Sequence, residues 1–252
     1  MKKLGIIGQL GDVNNYIIQY FLDQNFQVKM SVDSVSQKDY SSVKKDFYLQ
    51  HCKLDITNIE SVKRFIFDCD IIIYNDLNPF INTNNIPTEL LLKPSSEIIK
   101  NILEAISKTP TIEKLIFITS TKTSKQTNHN TPLKHTWYNL NDVILNTKND
   151  LFTSSKFLAN KTLSAFIDNT TDLAYEITKI SLCDISNQLH SEKETIASTN
   201  LQVSQNSKQT LALIANIAHN ATLNYGKHGE NFLIYTQSSL VKKTQLPIPY
   251  NN

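Results

Sequence analysis

Two glycines and an asparagine near the start of the chain have the spacing of a phosphate-binding turn, Gly8-x-x-Gly11-x-x-Asn14. After a strand and before a helix, such glycines let backbone amides approach a pyrophosphate at the helix N-terminus, where the helix dipole favours anions. Asn14 stands where a third glycine would allow the helix to pack closely on the strand. The turn predicts dinucleotide binding, and a purely structural turn is the alternative.

An acidic residue, Asp33, follows at the end of the next predicted strand. A carboxylate there accepts hydrogen bonds from a ribose 2′-hydroxyl and repels a 2′-phosphate. The only arginine of the chain is Arg64, so no bidentate phosphate clamp lies near Asp33 in the sequence. This pattern favours NAD over NADP. A solvated acid at a strand end is the alternative interpretation of Asp33.

Alternating strand and helix patterns must position these residues. The predicted strands are Lys3–Gly8, Gln27–Asp33, Cys52–Asn58 (a strand end with its loop), Asp70–Asn75, Lys114–Ser120, Ala174–Leu182 and a last strand, Asn231–Thr236. The predicted helices are Val13–Gln24, Ile59–Phe67, Ser95–Lys108 with Ser95 or Ser96 as N-cap, Leu151–Ile167 and Ser207–Leu223. We interpret residues 121–150 as a long functional loop.

This order predicts an α/β fold, a Rossmann-like doubly wound parallel sheet with helices on both faces. We expect one domain over residues 1–252, with residues 184–204 and 237–252 forming a reduced C-terminal appendage on the substrate side.

Composition narrows the function classes. Only five of the 252 residues are glycine, and three of these fall within the first eleven positions, so conformational freedom is concentrated at one turn. Basic and acidic residues are well mixed along the chain and sum to a net charge of +2, which argues against a nucleic-acid partner. No signal peptide, membrane span, metal site or disulfide framework is expected, because the apolar runs are short and the three cysteines are widely spaced. We therefore expect a cytoplasmic protein.

These segments resemble, over about residues 3–240, the extended short-chain dehydrogenase/reductase family, of the NAD-dependent epimerase/dehydratase and dihydroflavonol-reductase type. The stretch from KLGIIGQLGD to QVKMSVD is similar to the opening dinucleotide unit of that family. KLDITNIESV is similar to the loop that would place Asp55 near the adenine, and FTSSKFLANKTL resembles the helix that carries a YxxxK motif.

The resemblance implies a hydride-transfer centre in which a tyrosine phenol exchanges a proton with the substrate oxygen. Lys156 matches the lysine that binds the cofactor ribose, and Ser120 or Thr121 matches the hydroxyl residue that orients the substrate. Phe152 stands at the tyrosine position and has no ionisable proton. NDLN (residues 75–78) replaces a run of small residues beside the cofactor path. We expect an NAD(P)-binding protein with weak or no reductase activity.

Two alternatives stay open. An active oxidoreductase or epimerase, acting on a sugar nucleotide or small carbonyl, would need a substitute acid or base, for which His135, Trp137 and Tyr138 in the long loop are candidates. A scaffold protein that has lost the cofactor is the second alternative. A small-molecule substrate and a homodimer formed through the two helices Ser95–Lys108 and Leu151–Ile167 are the expected partners, the dimer by family analogy.

Overall fold

The computed structural model describes residues 1–8, 11–32, 47–77, 88–122, 151–170, 172–184, 205–224, 228–235 and 241–245. Within them lie eight strands: β1 (Lys3–Ile7), β2 (Gln27–Val32), β3 (Leu49–Lys53), β4 (Ile71–Asn75), β5 (Lys114–Lys122), β6 (Glu176–Asp184), β7 (Glu230–Tyr235) and β8 (Val241–Gln245). The helices are α1 (Asp12–Asp23), α2 (Ile59–Ile66), α3 (Thr88–Ser107), α4 (Leu151–Asn169) and α5 (Gln205–Leu223).

The strands form one sheet in the order β3-β2-β1-β4-β5-β6-β7-β8. All neighbouring pairs from β3 to β7 are parallel, and β8 pairs antiparallel with β7. The chain runs outward from β1 to β3 and then returns to place β4 on the other side of β1. In a sheet of this topology the crevice between the carboxyl ends of β1 and β4 is the switch point where ligands bind.

Each face of the sheet has its own hydrophobic core. Helices α2, α3 and α4 cover one face, here called the α2–α4 face, with α2 residues such as Phe65 and α3 residues such as Ile102 buried against it. Helices α1 and α5 cover the other face, the α1/α5 face, through residues such as Phe21 and Ile214. The predicted doubly wound sheet with helices on both faces is confirmed.

Strand β4 shows how the sequence directs side chains to the two faces. Successive side chains of a strand point to opposite sides. Ile72 and Tyr74 belong to the core of the α2–α4 face, whereas Ile71 and Ile73 belong to that of the α1/α5 face. The polar residues at the end of β4 continue this alternation, which decides what each of them contacts.

Helix α3 and strand β8 differ most from the predictions, and other bounds shift by about two residues, as in β5, which extends to Lys122. Helix α3 begins at Thr88, so Pro94 lies inside it, and neither Ser95 nor Ser96 is an N-cap. A proline lacks one backbone N–H and normally ends or kinks a helix, which is why the pattern placed the start after it. Strand β8 was not predicted as a strand, and it continues the sheet beyond the expected last strand.

No helix in the described ranges combines the length and the apolar character needed to cross a membrane.

Candidate functional site

The predicted phosphate-binding turn joins β1 to α1 at the switch point. Gly8 follows β1 and donates its N–H to Ser31 Oγ of β2 at 3.1 Å. Gly11 is the N-cap of α1 and provides no side-chain hydrogen bond to the first turn. A glycine N-cap places no side-chain oxygen in front of the first helical turn, and the N-terminus of a helix favours anions. Both glycines thus lie between β1 and α1, where the prediction places them, and phosphate binding by them stays a prediction.

Gly8 is also required by packing. A Cβ at this position would lie 2.8 Å from Asn14 Nδ2 and 3.0 Å from both Cβ and the carbonyl oxygen of Asn75. Real Cβ atoms hardly ever come within 3.0 Å of a neighbour. The turn is thus pressed against the carboxyl end of β4, which places the two strand ends of the crevice in contact.

The Asn14 side chain lies between the glycine turn and β4, where it forms a buried hydrogen bond that joins α1 to β4. Its Oδ1 accepts from Asn75 Nδ2 at 2.8 Å, and neither residue is more than 2 % exposed. Asn75 Oδ1 in turn accepts from the N–H of Leu77 at 3.0 Å, which shapes the chain as it leaves the sheet. Asn14 therefore replaces the close packing of a third glycine with a side-chain bridge. Whether it contacts a cofactor stays a prediction.

The first turn of α1 carries an acid of its own, Asp12. A carboxylate near a helix N-terminus interacts favourably with the helix dipole. The same carboxylate repels a phosphate that approaches those amides. Asp12 is exposed, so solvent screens this repulsion without removing it.

A buried ion pair lies on the other side of the crevice, where Lys156 of α4 meets Asp76 at the end of β4. Lys156 Nζ is 2.7 Å from Asp76 Oδ1, and the two side chains are 6 % and 11 % exposed. The N–H of Asp76 donates to the Ile118 carbonyl oxygen at 2.8 Å, so the β4–β5 ladder holds its backbone in place. Asp76 follows the alternation of Ile72 and Tyr74 and therefore faces α4.

Tyr74 completes this polar cluster. Its hydroxyl donates to Asp76 Oδ1 at 3.3 Å, and the other carboxylate oxygen, Oδ2, is buried without a hydrogen-bond partner among the described residues. Burial, together with the neighbouring Asp76 charge, raises the pKa of Tyr74 well above its usual range. Tyr74 consequently stays a protonated phenol and is a poor replacement for a tyrosine that must give up its proton.

Burial acts on both members of the ion pair. Desolvation raises the pKa of the Asp76 carboxyl and lowers the pKa of the Lys156 ammonium, although the attraction between the two charges works in the opposite sense. Both shifts favour the uncharged forms. Burial therefore opposes the charged forms of both members, and the attraction between the two charges offsets part of this effect.

Asn160 sits one turn after Lys156 and links α4 to β5. Its Nδ2 donates to Thr119 Oγ1 at 3.1 Å and to the Lys156 carbonyl oxygen at 2.9 Å. Ser120, a predicted substrate-orienting residue, is next in β5 and is partly exposed, paired in register with Leu182. Thr121, the other candidate, lies in β5, but its side chain is outside what the structure describes.

The structure brings some predicted residues together and leaves others unplaced. Phe152 lies in the first turn of α4, one turn before Lys156, with its side chain outside the described set. Asp55 is exposed after β3, and its Oδ1 accepts from the N–H and hydroxyl of Thr57 at 3.0 and 2.7 Å. Asp33 lies outside the described residues. So do three loop candidates, His135, Trp137 and Tyr138.

Sequence reasoning missed Asp76 as the partner of Lys156. The signal was present, because NDLN departs from small residues and strand alternation directs Asp76 toward the face that α4 covers. The sequence does not show that α4 packs close enough to β4 for this contact to form.

No protein-family model matches the chain, and no curated protein matches it in sequence. Among solved structures, Gre2 from Candida albicans in complex with NADPH aligns with a TM-score of 0.67 and 18 % identity, over 92 % of this chain and 78 % of that one. A reductase engineered to attenuate substrate inhibition aligns with a TM-score of 0.68 and 17 % identity, over 97 % and 80 %. Vestitone reductase from alfalfa (Medicago sativa) aligns with a TM-score of 0.52 and 17 % identity, over 72 % and 56 %.

This likeness confirms the predicted Rossmann-like fold with a doubly wound parallel sheet. The chain spans 57 % of the length of another Candida albicans Gre2 structure. The activities of these longer proteins bear on this chain only as proposals.

Proposed function

We propose that this protein binds a nicotinamide dinucleotide in the β1/β4 crevice and has little or no reductase activity. The observation that carries the proposal is the position of Lys156. It lies buried beside the carboxyl end of β4, in the helix where a reductase would place its lysine, while Phe152 stands one turn earlier in place of an acid. The binding lysine is kept and the proton donor is lost.

The residues of the crevice fit such a ligand. The glycine N-cap of α1 would hold the pyrophosphate, and Lys156 and Asp76 would face the sugar beyond it. Asp12 lowers the affinity for the phosphates by its charge. When bound, a nicotinamide dinucleotide supplies a hydride donor or acceptor at its nicotinamide ring.

We expect NAD rather than NADP to be the better ligand. The expectation comes from Asp33, whose carboxylate would repel a 2′-phosphate, and from the absence of any arginine near it in the sequence. The Candida albicans Gre2 structure contains NADPH, so NADP-type ligands belong in the same measurement.

General acid–base catalysis contributes about 10²–10⁴-fold to a rate, and phenylalanine cannot provide it. We therefore expect the reductase rate of this protein to be lower by about that factor than the rate of an enzyme with a tyrosine at this position. Tyr74 does not substitute, because its raised pKa keeps its proton bound.

Titration with NADH and NADPH, followed by nucleotide fluorescence or calorimetry, tests the binding. We expect saturable binding, tighter for NADH. Absence of binding by either nucleotide at millimolar concentration would sink the proposal and leave the cofactor-free scaffold.

A second set of assays tests the activity. NADH oxidation with a panel of carbonyl compounds and sugar nucleotides should be near background, and Phe152→Tyr should raise it. Phe166→Tyr, later in the same helix, is the matched control and should change nothing. Fast turnover by the wild type would contradict the proposal.

An active oxidoreductase with a substitute acid is the second candidate function. The observation in its favour is Asp76, whose buried carboxyl has a raised pKa and contacts Lys156. Wild-type turnover that is lost in Asp76→Asn, with nucleotide binding retained, would establish it.

A further inference from the structure

The lysine of the candidate site is already bound by a carboxylate of its own chain. Lys156 Nζ lies 2.7 Å from Asp76 Oδ1, and the two side chains are 6 % and 11 % exposed. The same oxygen accepts the Tyr74 hydroxyl at 3.3 Å, whereas Asp76 Oδ2 is buried and has no hydrogen-bond partner among the described residues. The carboxylate is therefore enclosed by the protein and is not within reach of a ligand in the crevice.

The backbones that carry the two charged groups are both anchored to β5. The Asp76 N–H donates to the Ile118 carbonyl oxygen at 2.8 Å, so the strand ladder fixes the residue that bears the carboxylate. One turn after Lys156, Asn160 Nδ2 donates to Thr119 Oγ1 at 3.1 Å, which ties α4 to the same strand. These contacts keep the lysine and the aspartate beside each other.

A neutral ligand hydroxyl competes poorly with Asp76 for the lysine. Withdrawing one partner from a buried ion pair leaves an uncompensated charge, and this costs more than one hydrogen bond from a lysine to a hydroxyl returns. Of the described groups, only the Tyr74 hydroxyl would remain on the carboxylate. The lysine therefore stays with Asp76 when a ligand occupies the crevice.

The ion pair lies next to the predicted phosphate-binding turn. A Cβ added at Gly8 would lie 3.0 Å from the Cβ and the carbonyl oxygen of Asn75, the residue before Asp76. A nucleoside diphosphate held at the turn would extend toward the ion pair only if a further group were attached to its outer phosphate. The second nucleoside of a dinucleotide is such a group, and it would meet a lysine that is already engaged.

We propose that Asp76 is a specificity-determining residue that withholds Lys156 from ligands, so that the crevice binds a nucleoside diphosphate and gains no affinity from a second nucleoside attached to it. This inference rests on the proposed function, because it concerns the ligand of the same crevice. A dinucleotide then binds through its ADP half. The engaged lysine is a second reason, besides Phe152, for weak reductase activity.

Calorimetric titration with ADP and with NADH measures what the second nucleoside contributes. We expect wild-type protein to bind NADH no more than about threefold more tightly than ADP. In Asp76→Ala the lysine can donate to a ligand hydroxyl, so NADH should bind about tenfold or more tightly than ADP, the size of one hydrogen bond to a charged group. The released positive charge does not mimic this result, because ADP carries the larger negative charge and would gain more from it.

Three further variants keep the test decisive. Asp76→Ala/Lys156→Gln should return the ratio of the two dissociation constants to the wild-type range, because the gain depends on the released lysine. Asp76→Asn keeps the size of the side chain and serves if Asp76→Ala is too unstable to titrate; its neutral amide holds the lysine less firmly, so the ratio should exceed about threefold. Asp70→Asn alters an acid before the amino end of β4, where Asp70 Oδ2 accepts from the Lys3 N–H at 2.7 Å, and should leave the ratio unchanged.

The outcomes separate this inference from the proposed function. A wild-type preference for NADH of about tenfold or more, a ratio that rises in neither Asp76 variant, or a ratio that stays high in the double variant overturns the role of Asp76 while nucleotide binding stands. Equal changes in the two affinities would show a merely structural role and overturn it too. If wild type binds neither nucleotide but Asp76→Ala binds NADH, the proposed function fails and the role of Asp76 stands. Absence of binding in every variant overturns both.

Discussion

At the scale of single residues, this site is defined by polar side chains placed where small ones would leave room. Asn14 and Asn75 bridge helix and strand behind the glycine turn, and Asp76 holds Lys156 beside it. Each contact joins a short polar side chain at the carboxyl end of β4 to a helix. The carboxylate of Asp12 at the helix entrance adds a charge that acts against an anionic ligand.

Removing the Asp12 charge should strengthen nucleotide binding. We expect Asp12→Asn to bind NADH about two- to fivefold more tightly, since charge effects at a helix terminus are worth about 0.3–1 kcal/mol. Asp23→Asn, at the other end of α1, is the control and should leave the affinity unchanged. Fluorescence titration at low ionic strength measures both. Equal gains in the two variants would indicate a general charge effect and contradict the prediction.

Gly5 in β1 should tolerate no side chain. A Cβ there would lie 2.8 Å from Ile72 Cδ1 and 2.9 Å from Cys69 Sγ. Gly5→Ala should therefore lower the free energy of unfolding by about 1–3 kcal/mol in urea denaturation, the usual cost of overpacking. Ile72→Val removes the nearest atom, so the double variant should lose less than the sum of the two single losses. Strict additivity would show that the clash is not the cause.

At the scale of elements, the position of α5 depends on a charged residue at the amino-terminal ends of the strands, opposite the site at their carboxyl ends. Lys114 begins β5 and is buried, and its ammonium donates to the carbonyl oxygens of Ala221 and Asn224 at the C-terminal end of α5. It also pairs with Glu176 Oε2 at 2.9 Å. A cation at this end complements the helix dipole and satisfies carbonyls that the helix leaves open.

Lys114→Met should accordingly be costly. We expect the free energy of unfolding to drop by about 2–4 kcal/mol, because the variant strands a partly buried carboxylate and two carbonyls. Lys108→Met is the matched control, since its pair with Glu104 is exposed at 57 % and 52 % and should be worth less than about 0.5 kcal/mol. Chemical denaturation of both variants measures the difference. Similar losses would refute the proposed role of Lys114.

The elements also show how far the sequence could predict this protein. The apolar periodicity of the local sequence is enough to predict strands such as β4 and helices such as α5. It does not predict the start of α3, because Pro94 is a strong local signal against a helix that continues through it. The Asp76–Lys156 contact joins residues far apart in sequence, so periodicity predicts only the face on which each lies.

At the scale of the whole molecule, the described histidines make stability sensitive to mild acid. Burial lowers the pKa values of His51, His219 and His228 below 6.5. His228 Nδ1 accepts the N–H of Ile177 at 3.2 Å, which only the neutral ring can do. Each histidine therefore binds its proton less readily in the folded chain than in the unfolded chain.

The sign of the pH dependence follows. Below about pH 6.5 the unfolded chain takes up more protons, so the free energy of unfolding should fall as the pH drops from 7.5 to 6.0. The raised pKa of Asp76 works in the opposite sense, over a range that begins near its usual value of 3.8. Urea denaturation at the two pH values measures the change. His228→Gln should show a shallower decrease, and a rise in stability on acidification would contradict the prediction.

The switch point also governs when the crevice can form during folding. Strand β1 pairs with β2, which follows directly after α1, but its other partner is β4, and the Lys3 N–H meets Asp70 across a separation of 67 residues. Contacts this distant in sequence form more slowly than local ones, because a long loop must close first. As the chain leaves the ribosome, the glycine turn emerges early, yet its opposite wall arrives only with Asn75 and Asp76. The binding crevice is therefore complete only after β4 has been synthesised, later than the glycine turn that forms its first wall.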